Sequence, residues 1–233
     1  MSEPFKYPGD ELALFQYAKH WKKYFSKQVN PYIKGDVLEV GAGIGSTTVL
    51  LNNGSAKQWL LLEPDGQMFA SLQNKLDQKK LPDNCAVQKG TIDQFSISFD
   101  TIIYIDVLEH IEADSEELQK AASLLNQGGH LIVLAPALQH LFSPFDKAIG
   151  HYRRYNKKMM KKLTPDSLKL IQCKYYDSTG YFASLINKLF LKQKSPTLKQ
   201  VTFLDSYIMP VSTITDPLLF HIFGKSILAV WTK

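Results

Sequence analysis

Between Leu141 and Tyr155 the chain gathers Asp146, His151, Tyr152, Arg153 and Arg154 into one segment. Imidazole titrates near neutrality and can take a proton from a hydroxyl. A guanidinium fork binds two oxygens of a carboxylate or phosphate at once. A second imidazole, His110, closes the phrase Asp106-Val107-Leu108-Glu109-His110-Ile111. Each group also has an ordinary explanation. Asp146 could pair with an arginine and simply orient its loop, and Glu109 and His110 could form a polar lead into a helix at Ser115.

A ligand site of another kind stands nearer the N-terminus, at Glu39-Val40-Gly41-Ala42-Gly43-Ile44-Gly45-Ser46. Glycines at every second position admit positive φ and let a ligand lie against the main chain. A strand, a glycine turn and a helix start form a cradle for a nucleotide-like ligand. The dinucleotide fingerprint is G-x-G-x-x-G/A; here the third glycine comes one residue early and Ser46 takes the last place, which disfavours a nicotinamide cofactor. Glu63 lies 22 residues after Gly41, where a carboxylate can accept both ribose hydroxyls of an adenosine. The ordinary reading of Glu63-Pro64-Asp65 is a helix start.

The elements that must position these groups alternate strand and helix. An amphipathic helix is expected over about 10–27. Strands are expected at Val37–Val40, Trp59–Leu62, Cys85–Val87, Phe99–Ile105 and His130–Ala135. Helices are expected over Ser46–Asn52, from Pro64 to about Gln78, and over Ser115–Asn126, the last stopped by Gly128-Gly129. Strands joined by helices imply a parallel α/β sheet with right-handed crossovers. Ligands then bind at the carboxyl ends of the strands, where the strand order switches, and the clusters above fall there.

At 233 residues with 45% hydrophobic and 21% charged residues, the chain reads as a single globular domain over 1–233. Met1–Lys6 lacks the build of a signal peptide, and no run reaches the ~18 apolar residues of a membrane span. Cys85 and Cys173 have no second thiol or histidine at ligand spacing, so both read as buried hydrophobes in a reducing compartment. No metal and a cytoplasmic location are the expectation. The +5 charge favours anionic partners, but scattered lysines give the same sum.

The E-x-G-x-G-x-G phrase from Glu39 to Gly45 resembles the first motif of class I S-adenosylmethionine-dependent methyltransferases. Asp106–Ile111 resembles the segment after the fourth strand in their type 11/12 small-molecule group. The resemblance covers about Asp36 to Tyr155. It implies a Rossmann-like, seven-stranded, mostly parallel sheet with helices on both faces. The last two strands would lie near Gln172–Asp177 and Ser226–Trp231, the final one antiparallel, with a substrate-side insertion over about 179–224. The cofactor would be S-adenosyl-L-methionine, held by Glu39, Gly41, Gly43, Gly45, Glu63, Pro64, Thr91, Ile92, Asp106 and Val107. Asp106 would lie beside its methionine part. Thr91-Ile92 stands where relatives carry an acidic residue, so backbone amides and Ile92 would hold the adenine.

Asp-x-x-x-Gly-His-x-Arg-Arg-Tyr resembles a subgroup associated with polysaccharide or lipid modification, and its position implies an acceptor over the cofactor's methyl. His151 is then the expected general base, with His110 as the other candidate. Tyr152 and Arg153 or Arg154 would position a small-molecule acceptor, methylated at oxygen. The (Asp/Asn)-Pro-Pro-(Tyr/Phe) and Pro-Cys signatures of base methylation are missing, so no DNA partner is expected. An RNA partner drawn by lysines 157, 158, 161, 162, 192 and 194 is disfavoured, because they interleave with apolar positions. A silent cofactor-binding module is the remaining alternative. In the insertion, Phe182, Leu185, Ile186, Leu189 and Phe190 mark one helical face opposed by Lys188 and Lys192, and Ile208–Phe223 is apolar. Packing over the sheet is expected there; the alternatives are a cover for a greasy acceptor or a patch for an anionic membrane. Oligomeric state is not legible.

Overall fold

In the computed structural model, residues 7–8, 12–191 and 196–233 are described. The leader reading of Met1–Lys6, the helix onset at Asp10, and Lys192 and Lys194 fall outside them. Strands β1 (Gly35–Val40), β2 (Ala56–Glu63), β3 (Cys85–Lys89), β4 (Phe99–Ile105), β5 (Leu125–Pro136), β6 (Lys169–Tyr176) and β7 (Ser226–Thr232) form one sheet in the order β3-β2-β1-β4-β5-β7-β6. Every pairing is parallel except those of β7, which runs antiparallel to both β5 and β6. β1 and β4 are neighbours although β2 and β3 come between them in sequence. The strand order therefore switches where their carboxyl ends, Val40 and Ile105, stand side by side.

Helices cover both faces: α1 (Leu12–Phe15), α2 (Lys19–Val29), α3 (Thr48–Leu51), α4 (Gly66–Asp77), α5 (Asp114–Ser123), α6 (Pro144–Ala148), α7 (Lys157–Lys162), α8 (Ser178–Ile186), α9 (Leu198–Phe203) and α10 (Met209–Leu218). Successive side chains of a strand point to opposite faces, and the core divides accordingly. Ile102 and Tyr104 of β4, Leu131 and Val133 of β5 and Ala229 and Trp231 of β7 bury with Leu118 and Ala121 of α5 and Met160 of α7. Ile103, Ile132 and Val230 bury on the other face with Phe25 and Val29 of α2, Leu72 of α4 and Met209 of α10.

Several expected boundaries move. The helix expected over about 10–27 is two helices among the described residues, broken at Gln16–Ala18. Asp205 accepts from the main-chain N–H of His20 and Trp21 at 2.9 Å each and so satisfies the first turn of α2. Gly128-Gly129 does not stop a helix. α5 ends at Ser123, and the glycines belong to β5, whose register shifts between its pairings Phe99↔Leu125 and Thr101↔His130.

The excursion between β6 and β7 leaves at Tyr176 and returns at Ser226, which are register partners. Its helices bury Val201 and Met209 but leave much of their apolar surface uncovered, contrary to expectation. Phe182, Ile186, Leu189, Phe203, Val211 and Ile214 are exposed, and Phe220 is 84% exposed. What anchors the excursion is polar. The buried Asp216 accepts from Tyr24 Oη at 3.0 Å and from the N–H groups of Asp177 (2.7 Å) and Ser178 (2.9 Å). Asp177 caps α8 through Gly180 N–H at 2.8 Å. Among the described residues no helix is long and apolar enough to cross a membrane.

Candidate functional site

The glycine loop follows β1. Gly41, Gly43 and Gly45 all have left-handed backbones, with φ of 66°, 57° and 70°. A Cβ at Gly41 would stand 2.7 Å from Val107 Cγ2, and one at Gly45 2.8 Å from Leu72 Cδ2. Glycine is thus required twice over, for dihedral and for space. Glu39 braces the loop from beneath: its Oε2 accepts from Thr48 Oγ1 and Trp59 Nε1, both at 2.8 Å. These partners belong to the protein, and burial pushes the Glu39 carboxyl up to about 7.

Glu63 ends β2 and links the loop to the next helix. It accepts from Gly43 N–H at 2.7 Å through Oε2 and from Asp65 N–H at 2.9 Å through Oε1. Burial raises its pKa. Asp65, after Pro64, is the N-cap of α4, accepting from Gln67 and Met68 N–H. After β3, Thr91 is exposed, whereas Ile92 is fully buried in the core beside the sheet. The face expected to pack on an adenine is therefore unavailable at Ile92, because the turn at 92–94 directs that side chain inward.

Two residues join the site without a sequence signal. Lys22 of α2 is buried and donates to Ser46 Oγ at 2.6 Å; burial lowers its pKa to about 8. It sits in a run of polar residues that reads only as a solvated helix face. Tyr7 stacks edge-on against His110 with ring centroids 5.2 Å apart, and its N–H donates to Asp65 Oδ2 at 2.9 Å. Tyr7 thus lies between the loops that follow β2 and β4.

Asp106 opens the loop after β4. It is a non-glycine residue at φ 53°, held by its N–H to Leu134 O at 2.8 Å, with its side chain open to the crevice. Left-handed backbone at such a residue is a cost that functional sites tolerate. Val107 packs against Gly41. Glu109 is fully buried, and among the described residues neither carboxylate oxygen has a hydrogen-bond partner. Burial, and then the charge of Asp106, push its pKa well above the ordinary carboxylate range. His110 lies next to it; burial, with the neighbouring His151, lowers its pKa to about 4.

The loop after β5 arrives from the other side. Tyr152 N–H donates to Glu109 O at 2.8 Å, tying the two loops together. His151 Nδ1 is 3.0 Å from Asp146 Oδ1, and its Nε2 is 3.7 Å from Glu109 Oε1. Its ring meets that of His110 edge-on at 4.6 Å. Burial alone would raise the Asp146 carboxyl. Hydrogen bonds from His151, Arg154 and Ser143, with the charge of Arg154, more than offset this and hold it below the usual carboxylate range. An ionised carboxylate only accepts, so His151 carries its proton on Nδ1 and presents Nε2 as the basic nitrogen.

The arginines are both engaged. Arg154 is buried with its fork on Asp146. Arg153 Nη1 meets Asp114 Oδ2 at 2.6 Å, and its Nη2 donates to Glu112 O at 2.9 Å. Of the expected acceptor-positioning residues, only Tyr152 is exposed without a buried partner of this kind. Lys157 is likewise turned inward, donating to His221 O at 3.0 Å and lying over the Tyr175 ring.

The comparisons with known proteins bear on the fold and on residues 38–131. A family model described as a methyltransferase domain matches residues 38–131. No curated protein matches the chain. Solved structures share the fold. The YcgJ protein of Bacillus subtilis is 16% identical at TM-score 0.58, over 92% of this chain and 98% of that one. A sarcosine dimethylglycine methyltransferase, so assigned, of Galdieria sulphuraria is 13% identical at 0.60, over 92% and 85%. The magnesium protoporphyrin IX methyltransferase of Synechocystis PCC 6803, with SAH bound, is 15% identical at 0.57, over 94% and 82%. At such identities the structures speak for the fold alone, and the sequence match speaks for residues 38–131. Residues 38–131 thus match a methyltransferase domain, and the chain shares its fold with S-adenosylmethionine-dependent methyltransferases.

Proposed function

We propose that this protein transfers the methyl group of S-adenosylmethionine to an oxygen of a small acceptor, of the saccharide or lipid-linked kind, with His151 as general base. The observation that carries this reading is the Asp146–His151 pair (3.0 Å), set over the strand-order switch beside the glycine loop.

The residues present fit the donor. At Gly41 and Gly45 the glycine loop runs too close to Val107 and Leu72 for any Cβ, which leaves bare main chain after β1. Glu63 spends one acceptor site of each oxygen on main-chain N–H groups and keeps others for ribose hydroxyls. Lys22, a buried cation beside Ser46, suits the donor's carboxylate, and Asp106 suits its ammonium. When bound, the donor supplies a methyl already activated by its sulfonium, so the protein's tasks are alignment and proton removal.

Asp146 fixes the tautomer and direction of His151. His151 Nε2 takes the acceptor's hydroxyl proton as the oxygen attacks. Arg154 acts through Asp146 and is a positioning residue. Tyr152, half-exposed at the rim, is the group free to touch an acceptor. The test is incubation with methyl-labelled donor and fractionated lysate or lipid extract. Label in an O-methyl group of a small molecule supports the reading. Label confined to RNA or protein, or found in no fraction, overturns it.

A further inference from the structure

Glu109 poses a problem that the methyl-transfer reading leaves unanswered. Buried carboxylates in folded proteins are hydrogen-bonded, paired or bound to a metal. Glu109 has no exposed surface, and among the described residues neither of its oxygens accepts a hydrogen bond. Its nearest charge partner is His151 Nε2, at 3.7 Å. One ligand atom each from Glu109, His110 and His151 can be chosen so that all lie within 4.8 Å of one another.

We infer that Glu109, His110 and His151 form a binding site for a divalent transition-metal cation at the acceptor end of the crevice. Two ligands each about 2.1 Å from one cation stand roughly 3.0–4.2 Å apart, depending on the angle between them. The Glu109–His151 separation already lies in that range. The widest separation in the set exceeds it by about half an ångström at most, a shift that one side chain can make.

The surroundings match what a metal-binding histidine needs. Such a histidine donates its second ring N–H to a carboxylate, which fixes the tautomer and aims the other nitrogen at the metal. His151 does so: Nδ1 is held by Asp146 and Nε2 faces Glu109. Asp146 is in turn fixed by Arg154 and Ser143. Two imidazoles and one carboxylate are an N/O set suited to Mn, Fe, Co, Ni or Zn, and they leave coordination positions open. None of Glu109, His110 and His151 is among the groups assigned above to the donor, so the cation and the donor do not compete for side chains.

The role of the cation rests on the methyl-transfer reading, although its binding does not. With a cation present, His151 Nε2 is a ligand and gives up the general-base role it has in the metal-free site; the positive charge beside the acceptor favours its deprotonated oxygen instead. The hydroxyl proton then leaves to solvent, the oxygen–methyl bond forms and the sulfur–methyl bond breaks. The metal keeps its oxidation state throughout.

The test uses the whole chain, stripped with a chelator and titrated with Co2+ under visible absorption and calorimetry. Saturable one-to-one binding is expected. It should weaken about 100-fold or more in Glu109→Gln and in His110→Ala, since loss of even outer-sphere partners costs about 10–100-fold. Glu109→Gln keeps the side-chain volume, and circular dichroism checks the fold of both variants. Absence of saturable binding by the native chain overturns the inference, as does binding that survives both substitutions. SAH binding is measured on the same samples. SAH bound without Co2+ sinks the cation site alone; Co2+ bound without SAH leaves the site standing and sinks the methyl-transfer reading.

Discussion

Arg154 closes its guanidinium fork on Asp146, with Nε 2.8 Å from Oδ1 and Nη2 3.0 Å from Oδ2, while the same Oδ1 accepts from His151. One buried carboxylate thus serves a structural pair and orients the imidazole. Removing one partner of a buried pair leaves an uncompensated charge. Arg154→Leu should therefore destabilise the chain by about 3–5 kcal/mol, read from urea unfolding. A loss below about 1 kcal/mol, the usual ceiling for an exposed pair, would show that Asp146 is satisfied without the fork.

His151→Ala should lower turnover about 10²- to 10⁴-fold, the usual worth of a general base, with SAH affinity unchanged. Isothermal titration separates the two quantities. Unchanged turnover removes His151 from the reaction; lost SAH binding moves it into the donor site.

Lys22 gives donor binding a pH signature. Burial brings its pKa down to about 8, so it is protonated below that pH and neutral above it. Affinity for a carboxylate-bearing donor should fall as pH rises past about 8, by at most about tenfold per unit. Lys22→Met should bind weakly and lack this component. The donor's own ammonium titrates in both proteins, so parallel pH profiles would separate Lys22 from the donor.

Glu39 gives stability a pH signature of the opposite origin. Its folded pKa is about 7 against the ordinary 4.5 of a glutamate carboxyl, so between these values the folded chain holds a proton that the unfolded chain has lost. Stability from this group is full below about pH 4.5 and falls as pH rises to about 7. Relative to wild type, Glu39→Gln should gain stability across that window and then level off. Denaturation midpoints that track each other from pH 4.5 to 7 would contradict this.

Gly41→Ala places a methyl at φ 66°, 2.7 Å from Val107. The cost should be about 1–3 kcal/mol, with weakened donor binding, because the loop must shift where the donor would lie. Binding and melting temperature matching wild type would mean that the loop accommodates a Cβ.

The sheet was readable where burial on both faces leaves no alternation, as in β2 and β5, or where a long β-branched run stands alone, as in β4. That the glycine loop, Asp106 and the His151 segment follow strand ends is readable because each comes directly after or downstream of a legible strand. Tertiary partners were not. Asp205, far along the chain, decides where α2 begins. Lys22 looks like any surface lysine until α2 is laid against Ser46. Ile92 looked like a ligand-facing residue because its inward turn depends on the core around Leu62 and Tyr104. The polar environment of Glu109 could not be foreseen either: two loops separated by more than thirty residues must meet before its lack of hydrogen-bond partners appears.

Tyr176 and Ser226 face each other across a single rung of the sheet, so the intervening stretch departs and lands at almost the same point. A detour with coincident ends can be lengthened, trimmed or exchanged without rethreading any strand, and closure entropy penalises extra length only slowly. The glycine cradle and its carboxylates stand on other strands, outside that detour. The architecture thereby separates two inheritances: the glycine cradle is fixed in the sheet, while the greasy excursion, apart from the Asp205 and Asp216 contacts that hold α2, is free to change with whatever it meets.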